Sequence, residues 1–139
     1  MDHRTNVLGI ARGRIVMGLA MLLVPGVMLR VMFGRHTSTR SARALARMFG
    51  AREVVLGVGT VTSVKERTQD AEWVSACAVT DAVDGLVMDF SPGVPKRSRA
   101  AAFGGAAAAA VGMQAARAFA DERSAAQTEA ALIDATVGR

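Results

Sequence analysis

The sequence predicts an all-α protein: a four-helix transmembrane bundle with short loops and a polar C-terminal tail. Apolar residues make up 51% of the 139 residues, yet aromatics are only 4% and tyrosine is absent. That excess of Ala, Val, Gly, Leu and Met suits helices packed through small residues better than an aromatic-centred core. Four apolar stretches of roughly membrane-spanning length are separated by polar or Pro/Gly breaks, and no strand-like alternation runs for more than a few residues. The length allows one domain of four such helices, at about residues 6–33, 42–64, 71–90 and 99–119 within 1–120, followed by a polar tail over 121–139.

The first helix begins near Asn6, a residue able to cap it, and runs to Val24, where Pro25 and Gly26 disturb it. Val27 to Phe33 either continues the span past a kink or lies along the interface. Arg4, Arg12 and Arg14 precede the apolar Ile15 to Val24 as in a leader peptide, but Pro25, Gly26 and Arg30 follow instead of a small-residue cleavage site, so the segment reads as a retained helix. Gly34 to Arg43 is a basic connection in which Ser38 or Ser41 caps the second helix. Charged Lys65 to Glu72 turns the chain into the third helix, which stops at Ser91-Pro92-Gly93-Val94-Pro95. The fourth helix carries no charge from Ala100 to Ala116. Beyond Asp121 the charges alternate in sign, the pattern of a solvated helix or a frayed tail.

The balance of 17 basic and 12 acidic residues gives a net charge of +5. The cations are nearly all arginine, with only Lys65 and Lys96 as lysines, and they cluster at the ends of the apolar segments. No basic helix face is interleaved with aromatics, so the excess suits lipid head groups and not nucleic acid. Cys77 is the sole cysteine, which removes intrachain disulfides and thiolate metal sites. Gly57-Val58-Gly59 lacks the strand, the lysine and the further glycine of a phosphate loop. His3 and His36 fall in terminal or loop segments and read as solvated. Neither a catalytic arrangement nor a cofactor motif is present, and the expectation is a non-enzyme without cofactor or metal.

The informative residues are acids inside apolar helices, since a carboxylate facing lipid is costly and such acids face a protein interior or a wet cavity. Asp81 and Asp84 share a face of the third helix with Cys77 and Met88, and Glu53 is in line with Gly57 and Thr60 on the second. Their natural partners are Arg52 and one of Arg12 or Arg14, which lie about 200° apart on a helix, so only one can face the bundle centre. Arg14, Arg52, Glu53, Asp81 and Asp84 therefore form a candidate intramembrane polar cluster. One reading is a structural network that fixes helix register. The other is a proton, cation or polar-solute site, since three carboxylates without histidine suit hard cations or protons better than zinc. Gly57 and the small-residue ladder Gly104, Ala108 and Gly112, like Gly9 and Gly13 on the first helix, mark close helix contacts.

The stretches LARMFGAREVVLGVG and DAVDGLVMDF, with Gly50, Arg52 and Glu53 in the second helix and Asp81 and Asp84 in the third, resemble a group of small actinobacterial four-helix membrane proteins of unassigned function. The resemblance spans about residues 10–119. It implies a multi-pass protein of the bacterial inner membrane without implying an activity. The resulting expectation is a structural or accessory component partnered by the lipid bilayer, by further copies of itself or by a larger membrane complex. A small transporting subunit is the alternative, and a soluble Ala-rich helical bundle is the second alternative.

Overall fold

The computed structural model describes residues 3–137, without the side chains of His36, Arg97, Ala100, Ala101, Ala102 and Val137. The expectation for the His36 side chain therefore lies outside the described residues, as do the last two residues of the tail. The described chain is all-helical: α1 (His3–Leu23), α2 (Pro25–Phe33), a 3-10 turn at Arg35–Thr37, α3 (Arg40–Glu66), α4 (Asp70–Phe90) and α5 (Lys96–Val137).

Several boundaries differ from the sequence expectation, each for a local reason. The first helix starts at His3, so Asn6 lies inside it and caps nothing. It is also two helices, because Val24 leaves helical geometry (φ −127°, ψ 51°) and Pro25, which has no N–H, opens α2 at its first position. Gly34 ends α2 at φ 107°, a conformation open to glycine and strained for other residues. The cap of α3 is Thr39, neither Ser38 nor Ser41; its side chain accepts from the Ala42 amide at 3.2 Å. Arg67 and Gln69, both left-handed (φ 54° and 51°), make the tight turn into α4. The fourth helix does not stop at 119: α5 is 42 residues long, about 63 Å. Neither proline nor glycine interrupts it between Gly112 and Val137. Its last turns, Ser124 to Thr136, are exposed throughout, so the tail is a helix continuous with the bundle and uncovered by it.

The helices pack as two antiparallel pairs, α1 with α3 and α4 with α5, and the pairs touch each other far less than their members do. Within a pair the buried positions alternate at three- and four-residue spacing. On α1 these are Val7, Ala11, Arg14, Gly18 and Met21, and on α3 they are Ala46, Gly50, Glu53, Gly57, Thr60 and Val64, with Ser63 buried beside the last. This is the seam of an antiparallel coiled coil. Its tightest point is the reciprocal approach of Gly18 and Gly50, where a β-carbon on either would lie 2.6 Å from the other's carbonyl oxygen. Gly57 is equally constrained, 2.8 Å from the Ala11 oxygen. Gly112 faces Ala78 at 3.4 Å on the α4–α5 seam, as expected, but Gly9, Gly13 and Gly104 meet no atom within 4 Å and are not contact residues.

The continuous apolar core is confined to one end, where Val7, Val64, Ala71, Val74, Ala115, Ala116 and Phe119 come together. The opposite end, formed by α2, the start of α3 and the α4–α5 turn, is splayed. Clefts of about 330 and 370 Å³ open there, the first between α4 and α5 and the second among α2, α3 and α4. Among the described residues, only α1 is long and apolar enough to cross a membrane by length and composition, a test that a buried core helix or a leader also meets. Three or more charges interrupt every comparable stretch of α3 and α4, and the middle of α5 is mostly Ala and Gly.

Candidate functional site, a buried arginine–carboxylate ladder

All five residues of the predicted polar cluster meet at mid-bundle. Arg14 is the hub: its side chain is 7% exposed, one terminal nitrogen donates to Glu53 Oε2 at 2.8 Å, and the other donates to both carboxylate oxygens of Asp81. Arg52 donates to Glu53 Oε1 at 3.1 Å and to Asp84. Glu53 thus accepts from both arginines, and the order Asp81, Arg14, Glu53, Arg52, Asp84 is a ladder alternating in sign. Burial falls along it, from 9% exposure at Glu53 to 37% and 35% at Arg52 and Asp84. Arg52 also lies over the Phe49 ring, 4.7 Å from its centroid, where its charge meets the electron-rich face.

The heptad spacing explains which arginine enters. Arg14 occupies a seam position between Ala11 and Gly18, while Arg12 is exposed. Small residues at Ala11, Gly18, Gly50 and Gly57 bring the α1 and α3 backbones close enough for Arg14 and Glu53 to pair within the seam. On the second pair, Asp70, Val74, Cys77, Asp81 and Asp84 follow the same spacing on α4. Beside the ladder, Thr60 Oγ1 and Cys77 Sγ are 3.2 Å apart. A cavity of about 20 Å³, lined by Arg14, Asp81, Thr60 and Cys77 among mostly apolar neighbours, has room for a single water.

A second ion cluster, which the sequence reading passed over, closes the apolar-core end. Asp70, 3% exposed, accepts from Arg4 at 3.0 Å and from Arg123 at 2.7 Å. Arg4 also reaches Glu122 at 2.8 Å and lies 4.5 Å from the centroid of Phe119, and Arg123 reaches Glu72 at 2.8 Å. Burial opposes the ionisation of Asp70, but the bonds from Arg123, Arg4 and the Ala71 amide overcome it and hold the carboxyl below its usual range. The Arg123 bond likewise lowers Glu72. The signal was in the sequence: Asp70 falls at the seam spacing that continues to Val74, Cys77 and Asp81, so the charged turn was not wholly a solvated loop.

Among the described residues, every ion pair between the two helix pairs runs the same way. Arg4, Arg14 and Arg52 on the α1–α3 pair meet Asp70, Asp81, Asp84 and Glu122 on the α4–α5 pair. Chemically this is a clamp, since each carboxylate of the ladder is already engaged by a guanidinium. No family model, curated protein or solved structure matches the chain. The fold and the ladder define an all-helical bundle of two antiparallel pairs joined by internal charge.

Proposed function

We propose that the chain is a small integral membrane protein in which α1, α3, α4 and the first half of α5 cross the bilayer, and that it serves as a structural or accessory component associating laterally with copies of itself or with a larger complex. The observation that carries this is an inverted distribution of apolar side chains. Among the described residues, five large aliphatic, thioether or aromatic side chains are buried (Val7, Met21, Val64, Val74 and Phe119), against twenty-one exposed. The exposed set includes Leu19 and Leu23 on α1, Val55 on α3, Leu86 and Phe90 on α4 and Phe103 on α5. A water-soluble domain rarely leaves so much contiguous apolar surface, whereas lipid or neighbouring helices cover it without cost. From Asp70 to Phe90, α4 is about 31 Å long, close to the thickness of a hydrocarbon core. Ion pairs at Arg4, Asp70 and Arg123 mark one water boundary, and Arg40, Arg43 and Lys96 mark the other.

The ladder supports the structural reading over the transporting one. A transport site needs a carboxylate that exchanges its partner along a wet path, while Glu53 and Asp81 are held by Arg14 in a setting with room for one water. The loop-side excess of Arg35, Arg40, Arg43, Lys96, Arg97 and Arg99 favours, by the positive-inside rule, an orientation with that end in the cytoplasm and both termini outside. Alkaline extraction of expressed protein tests integration: the expected outcome is retention in the membrane pellet and release only by detergent. Recovery of a monodisperse species in the alkaline supernatant would refute the membrane reading and leave a soluble bundle whose apolar belt is covered by other copies.

A further inference from the structure

The arginines divide into two populations. Those of the ladder and of the apolar-core end are paired with carboxylates, whereas the other arginines with described side chains, Arg30, Arg43 and Arg47 among them, have no carboxylate within ion-pair distance among the described residues. These three line one groove of about 270 Å³ at the junction of α1, α2 and α3, whose other wall is Leu23, Val24 and Val27. Two are pre-positioned: Arg43 Nε donates to Ser38 Oγ at 2.9 Å and Arg47 Nε donates to the Leu22 carbonyl at 3.3 Å. Leu23 is 76% exposed and Val27 55%, so the apolar wall opens outward, flush with the apolar belt.

We propose that this groove binds the phosphate of an anionic phospholipid, with the three guanidinium groups on the head group and Leu23, Val24 and Val27 against the upper acyl chain. The inference rests on the membrane reading above. Guanidinium forks match phosphate oxygens in paired hydrogen bonds, and three cations lining one groove make it attractive to an anion. The apolar wall selects a lipid over free phosphate, because an inorganic ion leaves Leu23 and Val27 uncovered. The groove sits at the basic end, which the charge distribution assigns to the cytoplasmic leaflet, where anionic lipids are found.

The full chain in a non-ionic detergent, titrated with phosphatidylglycerol, phosphatidylcholine of the same chains or inorganic phosphate, tests this by native mass spectrometry of retained lipid. Phosphatidylglycerol should be retained about tenfold more strongly than phosphatidylcholine, R30Q/R43Q/R47Q should lose that preference, and R12Q/K65Q/R117Q should keep it. Equal loss in both triple variants, or no loss in the first, overturns the site; competition by equimolar inorganic phosphate overturns the lipid assignment. If the glutamine triple does not fold, R30K/R43K/R47K decides, since it keeps the charge and loses the fork, and an unchanged preference there overturns the site. Should alkaline extraction release the chain, the membrane reading falls separately. Flotation with phosphatidylglycerol vesicles, lost in R30Q/R43Q/R47Q and kept in the control triple, then still supports the groove, and equal flotation of the two overturns it.

Discussion

Replacing Arg14 by methionine is the most revealing perturbation of this bundle. Arg14 is 7% exposed, and its two acid partners are 9% and 14% exposed. Its removal leaves Asp81 with no cation within ion-pair distance among the described residues and leaves Glu53 with Arg52 alone, at 3.1 Å. Stranding a buried charge costs about 3–5 kcal/mol, roughly two to nearly four powers of ten in the folding equilibrium and a large share of the total stability of a small domain. Replacing the acids as well, in R14M/E53M/D81L, removes the stranded charge and should return stability to within about 1 kcal/mol of the parent, because a well-packed apolar substitute for a buried ion pair is often neutral or stabilising. Arg52→Met should also destabilise, because in the proposed bilayer the exposed third of Asp84 faces lipid and not solvent, so its stranded carboxylate is unscreened. Unfolding in mixed micelles, followed by the emission of Trp73, the only tryptophan, measures all three. A cost below about 1 kcal/mol for R14M, or a triple variant as unstable as the single, would refute the clamp and restore the possibility of a labile, exchanging site.

Two further outcomes follow from the packing and the end cluster. Gly18→Ala should destabilise strongly, because its β-carbon would lie 2.6 Å from a backbone oxygen that cannot move aside, whereas Gly104→Ala, with nothing within 4 Å, should be neutral or gain up to about 1 kcal/mol of helix propensity; equal thermal midpoints would contradict the assigned crossing. The folded-state pKa of Asp70 is lowered, so its contribution to stability is fully present above the ordinary carboxylate value near ~3.9 and is lost as pH falls through the lower folded value. Asp70→Asn should therefore be less stable at neutral pH and show a flatter acid limb, and an acid limb identical to the parent's would assign the loss to another group.

The charge ladder was legible in the sequence because it violates the apolar pattern around it. Glu53, Asp81 and Asp84 stand out within helices otherwise made of small and aliphatic residues, and helical spacing alone puts Asp81 and Asp84 on one face. The choice between Arg12 and Arg14 was legible too, through the alternation of three and four residues from Val7 to Met21, but only when the whole seam is followed and not just the charged positions. Other features do not reside in local pattern. Gly18 and Gly50 look no different from Gly9 and Gly13, and which glycines touch depends on where α1 crosses α3. Gly104, Ala108 and Gly112 have the spacing of a contact ladder, yet the splayed end of the α4–α5 pair leaves Gly104 open while Gly112 is packed. The length of α5 was ambiguous because Ala-rich sequence with alternating charges forms a helix readily whether or not anything packs against it.

The division of charge between the two helix pairs accounts for a register that small residues alone would leave loose. Alanine and glycine seams allow close approach at several offsets, since one small residue substitutes for another when a helix slides by a turn of about 5.4 Å. Three arginines on the α1–α3 pair, spread from Arg4 at one end to Arg14 and Arg52 at the centre, meet four acids on the α4–α5 pair in a single alignment. Sliding one pair against the other by a turn would separate these ion pairs together and strand Asp81, while Arg14 would keep only Glu53 of its own pair. Because the cost of unpaired charge rises with burial, the least exposed contact between the pairs, Arg14 with Asp81, fixes the alignment most strongly, and the Arg52–Asp84 rung, about a third exposed, adds to it. Burial of this kind specifies one arrangement over its neighbours without adding much to the stability of that arrangement, which is the role that charge inside a bundle of small residues is best suited to fill.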